Sequence, residues 1–566
     1  MPNLLPTSAD LLPFLPEVAI ICAIILVLLI PILSPRKNIL AVAVMTTLGF
    51  TAAFLLTIYT RNIAVGSPAA YFGNLLLLDP FAWAVKLIML FFTLIVMALW
   101  FTDSHDKFLS RGQAGDAPEF FTLLLSATLG LLLMVQTTNL LMIFLAIEMA
   151  SLPSYVLAGF RKAHRVGAEA AMKYVLFGAA SAAVMLYGMS LLYGLFGTLD
   201  LHQISLLLAD PEWIHRLTGS SGIVLALGIA GLFIGVGFKI AMVPVHFWCP
   251  DVFEGASIDV TTFLSVTSKA AGLAMMMRIL VTLTSAPHTS VTTLHYLAVA
   301  MLIIGTVTCF WGNLAAYPQN NIKRLLAWSS VAHAGYMLIG MSALVLTQAS
   351  SNENLLSSPA AEALLFYLFM YLFMNAGAFV TAAAIAQRLT GPTDAGMSIG
   401  MNSLPPDQLP KNFTGEDIRN YANLGRRAPI LAACMLVFLL SLVGIPLTIG
   451  FATKIKLFSL LFAAGPIGYF GVAAIGINTV IGAFYYFRII RQMYLTESDA
   501  PRIIEIAPVT IVAMLLVIPN ILFFLGYEWI NAGAHMHAEL LTAPAPVAVE
   551  TPAAPAAPPT PAAMEQ

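Results

Sequence analysis

The stretch GLFIGVGFKIAMVPVHFW, Gly231 to Trp248, reads as a membrane-spanning helix that cannot run through unbroken. It is apolar on both sides of Lys239, and Pro244 follows five residues later. A proline inside a helix removes one backbone hydrogen bond and clashes with the preceding turn, so the segment is expected to break or kink beside the lysine. A second stretch, SLVGIPLTIGFATKIKLF, Ser441 to Phe458, repeats the pattern with Gly444, Pro446 and Gly450 around Lys454. Paired interrupted apolar segments in corresponding halves of a chain point to an ion site near the bilayer midplane. The expected fold is therefore an all-α polytopic membrane protein built on a duplication.

The rest of the chain fits that frame. Of 566 residues, 59% are hydrophobic and only 10% charged, with a mean hydropathy of +0.88. Those values exclude an ordinary soluble domain. Windows of about 20 apolar residues, the length that crosses roughly 30 Å of hydrocarbon, begin near residues 14, 39, 79, 119, 139, 168, 222, 259, 293, 322, 362, 429, 468 and 504, which makes fourteen spans. The first, Phe14 to Leu33, lacks a small-residue cleavage site and is read as a retained helix. Cys22, Cys249, Cys309 and Cys434 stand singly, without the spacing of a zinc, haem or iron-sulfur site. Redox cofactors are accordingly expected on other chains.

Basic residues collect on the cytoplasmic side of a membrane protein. With the N-terminus outside, the inner loops hold seventeen lysines and arginines and the outer loops two, Arg61 and Arg216. One span more or fewer would destroy that asymmetry, so an even count with both termini outside is expected. The proposed organisation is 1–118, three N-terminal spans; 119–290, a five-helix unit; 291–495, a second five-helix unit with a cytoplasmic loop at 391–427; 496–541, the last span; and 542–566, a disordered Ala/Pro-rich tail. Two consecutive five-helix units must face opposite ways across the bilayer, so they are inverted repeats, broken at spans seven and twelve. In that ordering Lys239 and Lys454 both fall on the fourth helix of a unit, and Glu148 and His333 on the second.

Seven basic residues fall inside spans: Lys86, Lys173, Lys239, Lys269, Arg278, Lys454 and Lys456. Lys86, Arg278 and Lys456 can snorkel to an interface along their stems. Against them stands essentially one deep acid, Glu148, in LLMIFLAIEMASLPSYVLAGF, Leu140 to Phe160. A charge at the bilayer centre costs about 2.5 to 3.5 kcal/mol on insertion scales. A static ion pair would offset this, and so would a functional one. Two charges 4 Å apart interact by about 4 kcal/mol at an effective dielectric of 20, so making or breaking a Glu148–Lys239 pair changes how tightly the lysine holds its proton. Lys269, His333 and Lys173 are candidate further stations, histidine being able to pass a proton through either ring nitrogen.

At these residues the chain resembles the antiporter-like membrane subunits of respiratory complex I, and within them the subunit N type of NADH-quinone oxidoreductase. The stretches that carry the resemblance are EMASLPSYVLAGFRK, EAAMKYVLFGAASAAVMLYGMSLLYGLFGTLDL, FKIAMVPVHFWCPDVFEGA, NIKRLLAWSSVAHAGYMLIG and NLGRRAPILAACMLVFLLSLVGIPLTIGFATKIKLF. The resemblance implies Glu148 as the buried acid paired to Lys239, Lys269 as a central relay and Lys454 as the exit-side lysine. It implies a bacterial inner (plasma) membrane chain working with other membrane subunits of the complex, in the lipid bilayer and without nucleic acid. NAD, FMN, iron-sulfur clusters and quinone would sit in partner subunits and none in this one. Two departures stand out: the family's GIPP reads Gly444-Ile445-Pro446-Leu447 here, and the loop from Gly391 to Gly415 is long. The competing expectations are a subunit of a multisubunit cation/proton antiporter and a static membrane anchor.

Overall fold

The computed structural model describes residues 8–33, 39–66, 69–104, 116–161, 165–210, 213, 219–284, 286, 291–350, 359–390, 416–498 and 508–525. The tail at 542–566 and the loop at 391–415 lie outside the described residues.

Three helices open the chain: α1 (Leu15–Leu33), α2 (Ile39–Tyr59) and α3 (Pro80–Leu99), with a hairpin of β1 (Ala69–Tyr71) and β2 (Leu76–Leu78) between the last two. The first five-helix unit is α4 (Ala117–Met134), α5 (Leu140–Ala158), α6 (Arg165–Phe196), the pair α7 (Ser220–Ile240) and α8 (Trp248–Gly255), and α9 (Ile258–Thr284). The second is α10 (Val291–Ala316), α11 (Ile322–Ser350), α12 (Pro359–Thr390), the pair α13 (Pro429–Val443) and α14 (Ile449–Ala463), and α15 (Pro466–Leu495). Helix α16 (Pro508–Leu525) closes the described chain. Among the described residues twelve helices are long and apolar enough to cross a membrane, and α13/α14 and α16 fill the remaining two windows. Every one of the fourteen apolar windows is thus a helix or a broken helix.

Both breaks have the same local cause. Helix α7 ends in Ala241 with φ 58°, and Met242 donates its N–H to the Gly237 carbonyl at 2.9 Å. Helix α13 ends in Gly444 with φ 84°, and Ile445 donates to the Leu440 carbonyl at 3.1 Å. A left-handed residue followed by a backbone bond reaching five residues back is a Schellman closure, after which the prolines prevent the helix from resuming. Alanine costs about 1 to 2 kcal/mol in that conformation where glycine costs little. Leu447 also has a positive φ, 76°, which a proline ring fixed near −65° cannot adopt. A proline at 447 would therefore not fit the backbone of the second break as it stands in this chain.

The duplication is legible at single residues. Asn139 caps α5 by accepting from the N–H groups of Leu141 and Met142, and Asn321 caps α11 by accepting from those of Lys323 and Arg324. Each asparagine also forms an antiparallel bridge to a capping aspartate, Asn139 with Asp200 and Asn321 with Asp417. Nine residues before each asparagine is a glycine against its neighbouring helix. A Cβ on Gly130 would lie 2.4 Å from the Ala150 nitrogen, and one on Gly312 would lie 2.6 Å from the Ala332 nitrogen. These equivalences fix the register between units: Glu148, nine residues after Asn139, corresponds to Ser330, nine residues after Asn321. His333 is on the matching helix, one turn further along. Lys239 and Lys454 likewise share the broken helix but not the position, because Lys239 precedes its left-handed cap by two residues and Lys454 follows its cap by ten.

Candidate functional site: a row of buried cations

Lys239 sits in the last turn of α7, fully buried, and its Nζ has no hydrogen-bond partner among the described residues. The end of this helix is fixed by aromatic packing: Trp248, first residue of α8, donates its indole N–H to the Phe238 carbonyl at 3.0 Å and stacks on Tyr174 at 4.4 Å. Glu148 is half-buried on α5. The two charges interact electrostatically, yet among the described residues no ion pair within 4.0 Å joins them. The implied Glu148–Lys239 pair is therefore open in this structure.

Helix α9 carries the next cation. Gly272 lets α9 approach α7 so closely that a Cβ there would be 3.2 Å from the Cβ of Lys239. One turn earlier is Lys269, 1% exposed, which follows a π-helical segment, Leu264–Ser268. Such insertions leave carbonyls without their regular partner and are frequent at functional sites. Here Asn375 of α12 donates to the Ser265 carbonyl at 3.1 Å. The Lys269 ammonium donates to the Ser330 hydroxyl at 2.5 Å and lies 5.5 Å from the centre of the Phe253 ring.

From Ser330 the polar groups climb one face of α11. Ser330, His333 and Tyr336 are three residues apart, the spacing that stacks side chains along a helix. His333 Nδ1 is 2.8 Å from the Tyr367 hydroxyl, and its ring stacks on Tyr371. Tyr336 presents its ring to the Lys454 ammonium at 5.3 Å. Lys454 donates to the Val443 carbonyl at 2.7 Å and to the Thr479 hydroxyl at 3.1 Å, so the cation closes the C-terminal end of α13, where the helix dipole favours positive charge. One stripe of α11 thus connects a lysine of the first unit to a lysine of the second.

Lys173 is placed elsewhere. Its side chain is 34% exposed and pairs with Glu169 and Asp251, both at 2.7 Å, while Asp251 and Glu254 also bind Arg324. This cluster ties α6 and α8 to α11 and does not join the row. The expectation of one deep acid also needs correction. Glu17, Asp259 and Glu362 are all buried, at 0%, 1% and 3% exposure. Lys86 and Lys456 do not snorkel, because Lys86 pairs with Glu17 and Lys456 with Glu362; Arg278 is held by Asp79. Each such acid lies near a helix start, where it looks in sequence like a membrane-edge residue. Ser330, Tyr336, Tyr367 and Asn375 were not singled out by sequence, although the spacing of SSVAHAGYM already sets Ser330, His333 and Tyr336 on one face.

Residues 137–482 match the family described as NADH:quinone oxidoreductase/Mrp antiporter, transmembrane. The chain is 36% identical over 540 residues to NADH-quinone oxidoreductase subunit N 2 of Sorangium cellulosum, covering 93% of this chain and 97% of that one. It is 35% identical over 529 residues to subunit N of Granulibacter bethesdensis, covering 93% and 98%. Among solved structures it is similar to a chain of respiratory complex I from Thermus thermophilus, with a TM-score of 0.66, 26% identity and coverage of 91% and 98%. A chain of the Mrp complex from a Dietzia species shares the fold, with a TM-score of 0.71 at 19% identity and coverage of 94% and 98%.

Proposed function

Since this chain belongs to the NADH:quinone oxidoreductase/Mrp antiporter transmembrane family, as a subunit of the N type of NADH-quinone oxidoreductase, we propose that it moves protons along the row from Glu148 and Lys239 through Lys269, Ser330, His333 and Tyr336 to Lys454. The observation that carries this reading is the α11 stripe, which places titratable or hydroxyl groups between Lys269 and Lys454 with no apolar residue at that spacing. Electron transfer belongs to partner subunits that hold NAD, FMN, iron-sulfur clusters and quinone, and this chain supplies no redox centre. The chain lies in a bacterial plasma membrane beside other membrane subunits of the complex, with both termini on the outer side.

In this reading Glu148 and Lys239 form the switch. Closing the pair holds a proton on Lys239, and opening it releases that proton toward Lys269. Bringing two charges from about 8 Å to about 4 Å at an effective dielectric of 20 changes their interaction by about 2 kcal/mol. Moving one charge across 100 mV requires about 2.3 kcal/mol. The two quantities are commensurate, so partner subunits that open and close this pair can drive a proton step.

Proton pumping and NADH-quinone electron transfer, measured together in vesicles carrying the assembled complex with Glu148→Gln or Lys239→Ala, test the proposal. Assembly with a sharp fall in pumping or coupled turnover is expected. Unchanged values for both activities would make the residues a structural charge couple and overturn it.

A further inference from the structure

A second buried charge cluster lies outside the row, where the three N-terminal helices meet the first five-helix unit. Glu17 of α1 and Lys86 of α3 are both fully buried, and their Oε1 and Nζ are 2.7 Å apart. Gln136, just past the end of α4, donates its side-chain N–H to the same Oε1 at 2.7 Å, and its own carbonyl oxygen receives the Tyr71 hydroxyl. Arg278 of α9 completes the cluster, holding Asp79 through two bonds of 2.7 and 3.0 Å and the Val135 carbonyl at 2.8 Å. Lys86 interacts electrostatically with Glu17, Asp79 and Arg278, so the four charges act on one another. The β1/β2 hairpin closes over them: Tyr71, Leu76 and Leu78 are buried, and Leu77 donates to the Gln136 backbone carbonyl at 2.7 Å.

Two atoms are left over. Gln136 donates to Glu17 Oε1, whereas Glu17 Oε2 and the Lys86 ammonium, although the latter is 2.7 Å from Oε1, are buried without a hydrogen-bond partner among the described residues. A purely structural ion pair gains most when its remaining lone pairs are satisfied. We propose that Glu17 is a proton-holding site at the N-terminal side of the membrane domain, taking a proton on Oε2 while Gln136 donates to Oε1 and the Lys86 ammonium stands 2.7 Å from it. This inference rests on the proton-moving role proposed above and adds a station to it in the N-terminal helices. The formal charges of Glu17, Asp79, Lys86 and Arg278 cancel. A proton bound at Oε2 forms one O–H bond and leaves the cluster with a net positive charge beside two fixed cations. The proton then leaves to water at the outer surface, with that O–H bond broken and the carboxylate restored beside the two cations. A site that loads and then expels a proton suits release from the membrane domain. Helix α9 links it to the row, with Lys269 and Arg278 nine residues apart on the same helix.

The test uses the assembled complex in vesicles, with protons moved per electron as the readout and Lys239→Ala measured in parallel. Glu17→Gln keeps the shape and removes the proton acceptor; Glu17→Leu with Lys86→Met removes both charges together. The proposal expects both variants to assemble and both to move at least twofold fewer protons per electron. A static pair would instead let the double variant return to the unmodified ratio, because no lone charge is left buried, and that result would overturn the proposal. Failure of both variants to assemble would identify a structural fastening and overturn it equally. If Lys239→Ala abolishes pumping while neither Glu17 variant changes it, the release site alone is wrong; if Lys239→Ala also leaves pumping intact, the row itself is wrong.

Discussion

Ser330 occupies in the second unit the position that Glu148 occupies in the first, and exchanging its chemistry tests whether Lys269 must keep a neutral partner. The Lys269 ammonium rests 2.5 Å from the Ser330 hydroxyl, which in turn donates to the Ala327 carbonyl at 2.6 Å. Ser330→Asp would put a carboxylate against that ammonium. At about 4 Å and an effective dielectric of 20 the added attraction is about 4 kcal/mol. One factor of ten in rate corresponds to about 1.4 kcal/mol, so proton departure from Lys269 should slow by up to about a thousandfold. Ser330→Asn has nearly the same volume and no charge, which separates the electrostatic effect from crowding in this buried place. Pumping and electron transfer in the same vesicles provide the assay. The expected order is unmodified protein, then Asn, then Asp far below both. An aspartate variant that pumps as fast as the asparagine variant would show that Lys269 does not hand its proton on, and the α11 stripe would lose its role.

Four further expectations follow from particular contacts. Gly130→Ala and Gly312→Ala each place a methyl against backbone atoms, at 2.4 and 2.6 Å; overpacking of this kind costs typically 1 to 3 kcal/mol, so each should lower the thermal midpoint of the purified complex by a similar amount. Lys454→Met leaves the Val443 carbonyl without its cation, and the number of protons moved per electron by the assembled complex should fall sharply. Lys173→Ala removes one cation from a cluster in which Arg324 still binds Asp251 and Glu254; with a third of the side chain exposed, its loss should cost below about 1 kcal/mol and leave the proton-to-electron ratio unchanged. Arg278→Lys gives up the two-pronged grip on Asp79, which a lysine cannot reproduce, and assembly yield on native gels should drop more than for Lys173→Ala.

The architecture was readable because the bilayer imposes it. Segment length, the prolines at 244 and 446 and the uneven distribution of basic residues each answer to a cost that lipid makes large, so fourteen helices and two breaks follow from local sequence. The site was only half legible for the opposite reason. Lys239, Lys269, His333 and Lys454 announce themselves as polar atoms in apolar runs, whereas their partners do not: Ser330 and Tyr336 are ordinary residues of a membrane helix until their three-residue spacing is set beside a lysine from another unit. Buried acids near helix starts escaped for a related reason, since Glu17 and Glu362 have the sequence context of interfacial residues. Only packing against Lys86 and Lys456 reveals them as interior.

The register of the repeat also changes what the duplication means. Matching helices by order alone pairs Glu148 with His333 and Lys239 with Lys454, which would make the halves two versions of one device, a titratable group set beside a lysine. The capping asparagines and close-contact glycines pair Glu148 with Ser330 instead, and place Lys239 and Lys454 on opposite sides of their breaks. The halves therefore share a scaffold and differ in chemistry. A carboxylate at the Glu148 position can tighten or loosen a lysine's hold on its proton, which is what a controlled entry needs. A hydroxyl at the Ser330 position binds Lys269 without neutralising it, which leaves that proton free to move. If the row works in one direction, the asymmetry supplies the reason: the carboxylate stands at the first lysine, and beyond it the cations meet hydroxyls, a thiol, an imidazole, aromatic rings and a helix end.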